Sequence, residues 1–154
     1  MSNRVYFIGK YLKPIFLLLV ISLTGSNSSF ANSLEKAKLF AHDVGTILGF
    51  YQSSLATIDY CERRFNTNVT RIFFTSHNGR IVTDAKKLLV KKFGYKLANK
   101  MYDRINSDLS LQLTRNQRSG CPEFMRQHMN RYKDIKVLVP GQMKRIFGSR
   151  WHLY

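Results

Sequence analysis

With 154 residues, 25 lysines and arginines, nine aspartates and glutamates and a formal charge of +16, the chain has room for one domain and is strongly basic. A hydrophobic share of 44% is enough to build a core, and there is no internal repeat, low-complexity tract or second globular domain in the pattern. The two cysteines lack a Cys-x-x-Cys spacing or a histidine pattern beside them, which argues against reactive or metal-binding thiols.

Taken in order, the chain opens with a targeting segment. Arg4, Lys10 and Lys13 form a positive leader, Ile15–Leu23 is an apolar run broken only by Ser22, and small residues stand at Ser29 and Ala31, where a signal peptidase cuts. The apolar run is far shorter than the about 20 residues that span a bilayer, so a cleaved signal peptide over residues 1–31 is expected in place of an uncleaved anchor. The cleavage region holds no cysteine, which argues against a lipid-anchored product. The mature chain, Asn32–Tyr154, is then periplasmic or secreted, and its two cysteines read as one disulfide, Cys61–Cys121. Closing a loop of that size stabilises a domain by roughly 4 kcal/mol in the chain-entropy model.

Leu34, Ala37, Ala41, Val44, Leu48, Tyr51, Leu55 and Ile58 alternate in spacing between three and four, the apolar stripe of a long helix. Ser33 is its expected N-cap, and Glu35 suits its first turn. Along the same helix Ala37, Ala41, Gly45, Gly49 and Ser53 recur every fourth residue. A glycine inside a helix costs about 1 kcal/mol relative to alanine. A groove over Ala41, Gly45, Gly49 and Ser53 is therefore expected to offset that cost by close packing of a second helix, from the same chain or from another copy.

Asn66–Asn68 reads as a turn, with Thr67 or Asn68 capping the next segment. Asn68-Val69-Thr70 is a glycosylation sequon, meaningful in a eukaryotic secretory pathway. Val69–Thr83 reads two ways. Asn78-Gly79 between RIFFTS and RIVT is a hairpin signal, whereas Val69, Ile72, Phe73, Ile81, Ala85, Leu88 and Leu89 fit one face of a helix. From Thr83-Asp84 the pattern is helical: Leu88, Tyr95, Ala98, Tyr102, Ile105 and Leu109 keep a face apolar, and Gly94 is placed to kink or split it. Asn116–Gly120 is a polar break. Cys121-Pro122-Glu123 opens another helix, proline being preorganised for a first turn, with Cys121, Met125, His128 and Tyr132 on its inner face. Val137–Val139 is expected to be extended and Pro140-Gly141 to turn, leaving residues 136–154 as a basic aromatic C-terminal tail. The expected fold is all-α: a small bundle of three to five helices over residues 32–135, with one disulfide, after a cleaved signal peptide.

The series Cys61-Glu62-Arg63-Arg64-Phe65, a turn, Phe74, Asn78 and Ile81 ahead of an Ala/Lys/Leu helix, and Cys121 opening a late helix resembles a known pattern. It is similar to a group of small helical, single-disulfide periplasmic proteins of Proteobacteria, over about Leu34–Ile135. The resemblance implies that the segment after Cys61 is helical, which favours helix for Val69–Thr83, and it implies a periplasmic address. That group is mostly of unassigned function, so no activity comes with the likeness. The chain departs from the pattern in lacking a tryptophan at the aromatic position, in an Asn-rich turn where proline is usual, and in the added tail.

No catalytic constellation emerges. His42, His77, His128 and His152 do not pair with one another or with a carboxylate at helical spacing, so no metal site is expected, and His128 reads as a hydrogen-bonded core or boundary residue. Asp59 and Glu62 are three apart but flanked by Arg63 and Arg64, which points to local ion pairing and not to acid–base work. There is no Gly-x-Ser-x-Gly and no glycine-rich phosphate loop. No catalytic residue or cofactor is expected; a hydrolase assembled only in three dimensions is the weaker alternative.

The charge supplies the sharp feature. Between Ala31 and Thr70 basic and acidic residues balance, whereas Arg71–Tyr154 holds 18 basic residues against five acidic ones. Lys92, Lys96, Lys100 and Arg104 are spaced by four, drawing a cationic ridge interleaved with Phe93, Tyr95 and Tyr102, and Arg150-Trp151 repeats that chemistry near the terminus. A solvated lysine-rich face is the bland reading. Two functional readings stand beside it. One is a non-enzymatic periplasmic protein acting through a protein partner, as a stress, chaperone-like or secretion accessory. The other is a binder of anionic surfaces, such as lipid head groups, lipopolysaccharide or another polyanion, through the basic half. Nucleic acid is the least expected partner of an exported protein.

Overall fold

A computed structural model describes residues 28–116 and 120–154, and the expected signal peptide lies almost wholly outside them. Every regular element among the described residues is helical. The α-helices are α1 (Ser28–Phe65), α2 (Val69–Phe93), α3 (Tyr95–Asn116), α4 (Cys121–Met129), α5 (Ile135–Leu138) and α6 (Pro140–Phe147), and a 3-10 helix (Gly148–Leu153) comes last. Ser33 does not cap α1, because the residues ahead of it already belong to the same helix. Leu34–Tyr154 is one unit; of the preceding unit, only the opening residues of α1 are described.

The stripe on α1 faces inward as its spacing predicts. Val44, Leu48 and Ile58 are fully buried, joined by Ile47. Val44, Ile47 and Leu48 share one cluster with Ile81, Val82, Ala85 and Leu89 of α2, Ala98 of α3, Ile135 of α5, and Met143 and Phe147 of α6. Burying side chains of this size contributes about 1.5–3 kcal/mol each, offset by the entropy of ordering them. Val69–Thr83 is helix, not hairpin. Asn78, half of the hairpin signal, is buried inside α2, and Gly79 occupies the next helical position.

The C-terminal segment differs most from expectation. Residues 136–154 are not a tail but part of the core. Val137 and Leu138 are helical where extended chain was expected, and Pro140 starts α6 with no N–H to satisfy. Met143 and Phe147, four apart, put one apolar face of α6 into the cluster. Arg145 on its flank reaches back to α1, where Nε and Nη2 donate to the buried Asp43 at 2.6 and 2.8 Å. Tyr154 finishes the closure: its hydroxyl donates to Asp84 at 2.9 Å and its ring lies 4.6 Å from that of Phe147. Asp43 and Asp84 sit far from these partners in sequence, so the periodicity of residues 136–154 alone could not announce the docking.

At the other end of α1 the disulfide Cys61–Cys121 joins it to the first residue of α4, with Cα atoms 5.4 Å apart. Glu62 does not pair with its arginine neighbours. Buried beside Cys61, it accepts the backbone N–H of Thr70 at 2.6 Å and of Arg71 at 3.3 Å. A carboxylate from α1 thus caps the N-terminus of α2 alongside Thr67, whose Oγ1 accepts the N–H of Val69 at 3.4 Å, and it suits the positive end of the helix dipole, while Asn68 makes no side-chain cap. Asp59 pairs across the same corner, accepting from Arg71 Nε at 2.8 Å.

Candidate anion-binding elbow

The basic face takes its shape from Gly94. That residue stands between α2 and α3 with φ +78° and ψ 160°, a conformation open essentially to glycine alone. It splits the one long apolar pattern into two helices. α3 folds back along α2, so that Lys86 Nζ lies 3.7 Å from the centre of the Tyr102 ring.

The expected ridge is therefore broken. Lys92 belongs to the last turn of α2 and lies 4.3 Å over the ring of Phe40, turned onto the body of the protein. Lys96 and Lys100 are on α3 and line one shallow groove with Phe93, Gly94, Tyr95 and Leu97. Arg104 continues one turn further along α3, exposed to solvent. Arg150 and Trp151 lie on the 3-10 helix, where Trp151 packs against the core and carries Lys144 Nζ 5.1 Å above its ring. The structure thus unites Lys96 and Lys100 and leaves Lys92, Arg150 and Trp151 in other roles.

The break also gathers residues that the ridge omitted. Lys86, Lys87 and Lys91 line a second shallow groove with Thr83, Val90 and Tyr95. Tyr95 is common to both grooves and stands between them, 71% exposed. It was expected on the inner face, but the turn at Gly94 resets the helical phase and carries it outside. From Lys86 to Lys100 the chain has six lysines and no acidic residue. Asp84 touches this surface from below, 3.6 Å from Lys87. The signal available in sequence was the pair of double lysines flanking LLV, with glycine close behind: KKLLVKKFG.

The other expected site features fall elsewhere. In the small-residue groove of α1, Gly49 faces α3, with Ile105 Cγ2 3.9 Å from where a Cβ would stand. Ala41 and Ser53 are half-buried, and Gly45 has open space before it. The packing is therefore within the chain at Gly49. Tyr132 is exposed and not on the inner face of α4, because that helix ends at Met129 and the chain turns through Arg131 at φ +64°.

Of two buried polar groups, Asn78 was not foreseen in its role, whereas His128 is the hydrogen-bonded core residue expected. Asn78 on α2 donates from Nδ2 to the Phe74 carbonyl at 3.0 Å and to Asp134 at 3.3 Å, while its Oδ1 accepts the N–H of Ile135 at 3.0 Å. It thereby caps α5 from another helix. His128 on α4 is fully buried between Phe74 and Phe124, with ring centres 5.1 and 4.0 Å away. Its Nδ1 lies 2.8 Å from the Phe124 carbonyl and so carries the proton, which leaves Nε2 as a buried acceptor without a partner. Burial lowers its pKa to about 4, against the opposing pull of the Phe124 carbonyl, with Lys133 lowering it further and Asp134 raising it. On the exposed side of α4, hydrogen bonds from Arg126 and Gln127 hold Glu123 at about 2.

Among the described residues no three side chains of metal-ligand type converge, and no helix is long and apolar enough to cross a membrane. What the elbow offers chemically is a cluster of exposed ammonium groups around an exposed phenol, a chemistry that attracts anions. No protein-family model, no curated protein and no solved structure matches the chain.

Proposed function

We propose that the chain is an exported, non-enzymatic helical protein that acts by binding an anionic surface, and that the α2–α3 elbow is the contact face. One observation carries this reading: six lysines and no acidic residue between Lys86 and Lys100, five of them lining two adjoining grooves at the Gly94 bend. Lys87, Lys91, Lys96 and Lys100 are exposed on that face. A lysine near an anionic lipid surface contributes roughly 1 kcal/mol, so four contribute roughly 4 kcal/mol, enough for weak reversible attachment. The export reading is supported by the leader chemistry at Arg4–Ala31 and by the Cys61–Cys121 disulfide, which persists in oxidising compartments. Engagement of a protein partner through the small-residue groove has less support, since Gly49 already packs against α3.

Binding to immobilised heparin and to phosphatidylglycerol-containing vesicles tests the reading. Both are expected to weaken steeply as salt rises to about 0.5 M, where screening acts over a few ångströms. The triple variant Lys91→Glu, Lys96→Glu, Lys100→Glu is expected to lose at least about 100-fold in affinity. Binding that is indifferent to salt, or that survives the triple variant, would overturn the proposal.

A further inference from the structure

The same elbow carries an apolar feature that electrostatics alone leaves idle. Val90, Tyr95 and Leu97 are 36%, 71% and 41% exposed, and they sit among the lysines of the elbow, whereas the other exposed aliphatic residues of α2, Val69 and Ile72, lie in its first turn. They are neighbours on the surface: Val90 and Tyr95 line one groove, and Tyr95 and Leu97 line the other. Lysines rim both grooves. Since Gly94 forces the chain to turn here, Tyr95 begins α3 at the apex of the bend and not on a flat helix face.

Resting on the binding reading above, we propose that the surface engaged is an anionic phospholipid bilayer, into whose interface Tyr95, Val90 and Leu97 insert. A free polyanion would satisfy the lysines but leave this apolar apex in water. A bilayer interface satisfies both parts. The tyrosine ring enters the acyl boundary while its hydroxyl stays at head-group level. The lysine stems lie along the apolar layer with their ammonium groups at the phosphates. Charge alone or a small apolar insert alone gives marginal attachment, and their combination is the usual two-signal solution for a protein that lies on a membrane.

The test places a reporter at the apex. In the full chain, Trp151→Phe removes the native indole and Tyr95→Trp supplies one at the elbow. The apolar run at residues 15–23 can bind lipid but cannot report through position 95. With vesicles of phosphatidylcholine and phosphatidylglycerol, the indole is expected to shift to the blue and to be quenched by lipids brominated in the acyl chain. With heparin neither is expected. In the otherwise native chain, Val90→Ser, Tyr95→Ser and Leu97→Ser together are expected to weaken vesicle binding about tenfold and leave heparin binding unchanged. Salt-sensitive heparin binding with an indole that stays unshifted and unquenched on vesicles would overturn the bilayer proposal while the anionic-surface reading stands. Loss of binding to both heparin and vesicles, in a protein of native helicity, would overturn both.

Discussion

The two ends of this molecule dispose of polar groups in opposite ways. At the disulfide end several are turned inward and link two elements. Glu62 ties α1 to the first N–H groups of α2, Asn78 ties α2 to Asp134 and the start of α5, and Cys61 ties α1 to α4. At the elbow the polar groups are turned outward, and lysines of one sign crowd around Gly94. A buried polar atom left unpaired costs about 1–3 kcal/mol, so the inward groups fix the geometry of the chain. The exposed lysines fix nothing comparable. The difference separates scaffold from proposed contact face, and it does so by energy: substitutions at one end should unfold the protein, and substitutions at the other should leave the fold intact.

The largest effect belongs to the disulfide. Replacing Cys61 and Cys121 together by alanine releases a loop with a sequence separation of 60 and is expected to remove roughly 4 kcal/mol in urea denaturation. A loss under about 1 kcal/mol would mean that the Glu62 and Asn78 links hold this end unaided. Next comes acid. Folded protein keeps His128 neutral down to about pH 4, whereas the unfolded chain takes up that proton near its ordinary value of 6.5. The unfolded state therefore binds more protons in this window, and stability falls as pH falls, by about 1.4 kcal/mol per unit and about 3 kcal/mol by pH 4. Denaturation curves across pH 7 to pH 4 check the slope, and His128→Phe is expected to flatten it. Persistence of the slope in that variant would assign it to other groups; Glu123, held at about 2, acts mainly below its ordinary value of 4.5.

Much of the scaffold was legible because it is local or covalent. The stripe Val44, Leu48, Ile58 needs only the helical period, and a lone pair of cysteines has one intramolecular pairing to make. What escaped sequence reading is what depends on partners far along the chain. Glu62 looked paired with Arg63 and Arg64, yet it caps a different helix. Asn78-Gly79 carries a real local hairpin preference, overridden because Asn78 finds buried partners at Asp134 and Ile135. Residues 136–154 looked like a tail because Pro140-Gly141 reads as a turn and the residues after it are basic and aromatic, yet Met143 and Phe147 sit one helical turn apart and Asp43 receives Arg145. The elbow was half legible. Its charge is plain in the sequence, but the ridge of Lys92, Lys96, Lys100 and Arg104 assumed one unbroken helix, and a single glycine at φ +78° redistributes those side chains.

The smallest expected effect is the sharpest test of the contrast. Exchanging Lys91, Lys96 and Lys100 for glutamine removes the like-charged helical neighbours Lys87–Lys91, Lys96–Lys100 and Lys100–Arg104, each costing about 0.2–0.5 kcal/mol, and one opposite-charged neighbour of similar size, Lys100–Asp103. Lys91, in the last turn of α2, favours the negative end of that helix dipole, and Lys96, in the first turn of α3, opposes the positive end of the next, so those contributions nearly cancel. The triple variant is therefore expected to be as stable as the parent or about 0.5 kcal/mol more stable in urea denaturation, with unchanged helicity. Its vesicle and heparin binding should nevertheless fall steeply. A loss of more than about 1 kcal/mol would show that these lysines belong to the scaffold after all. Stability gained where binding is lost would identify charge repulsion kept at the elbow for the sake of an anionic partner, since a solvated face without a ligand has nothing to set against that cost.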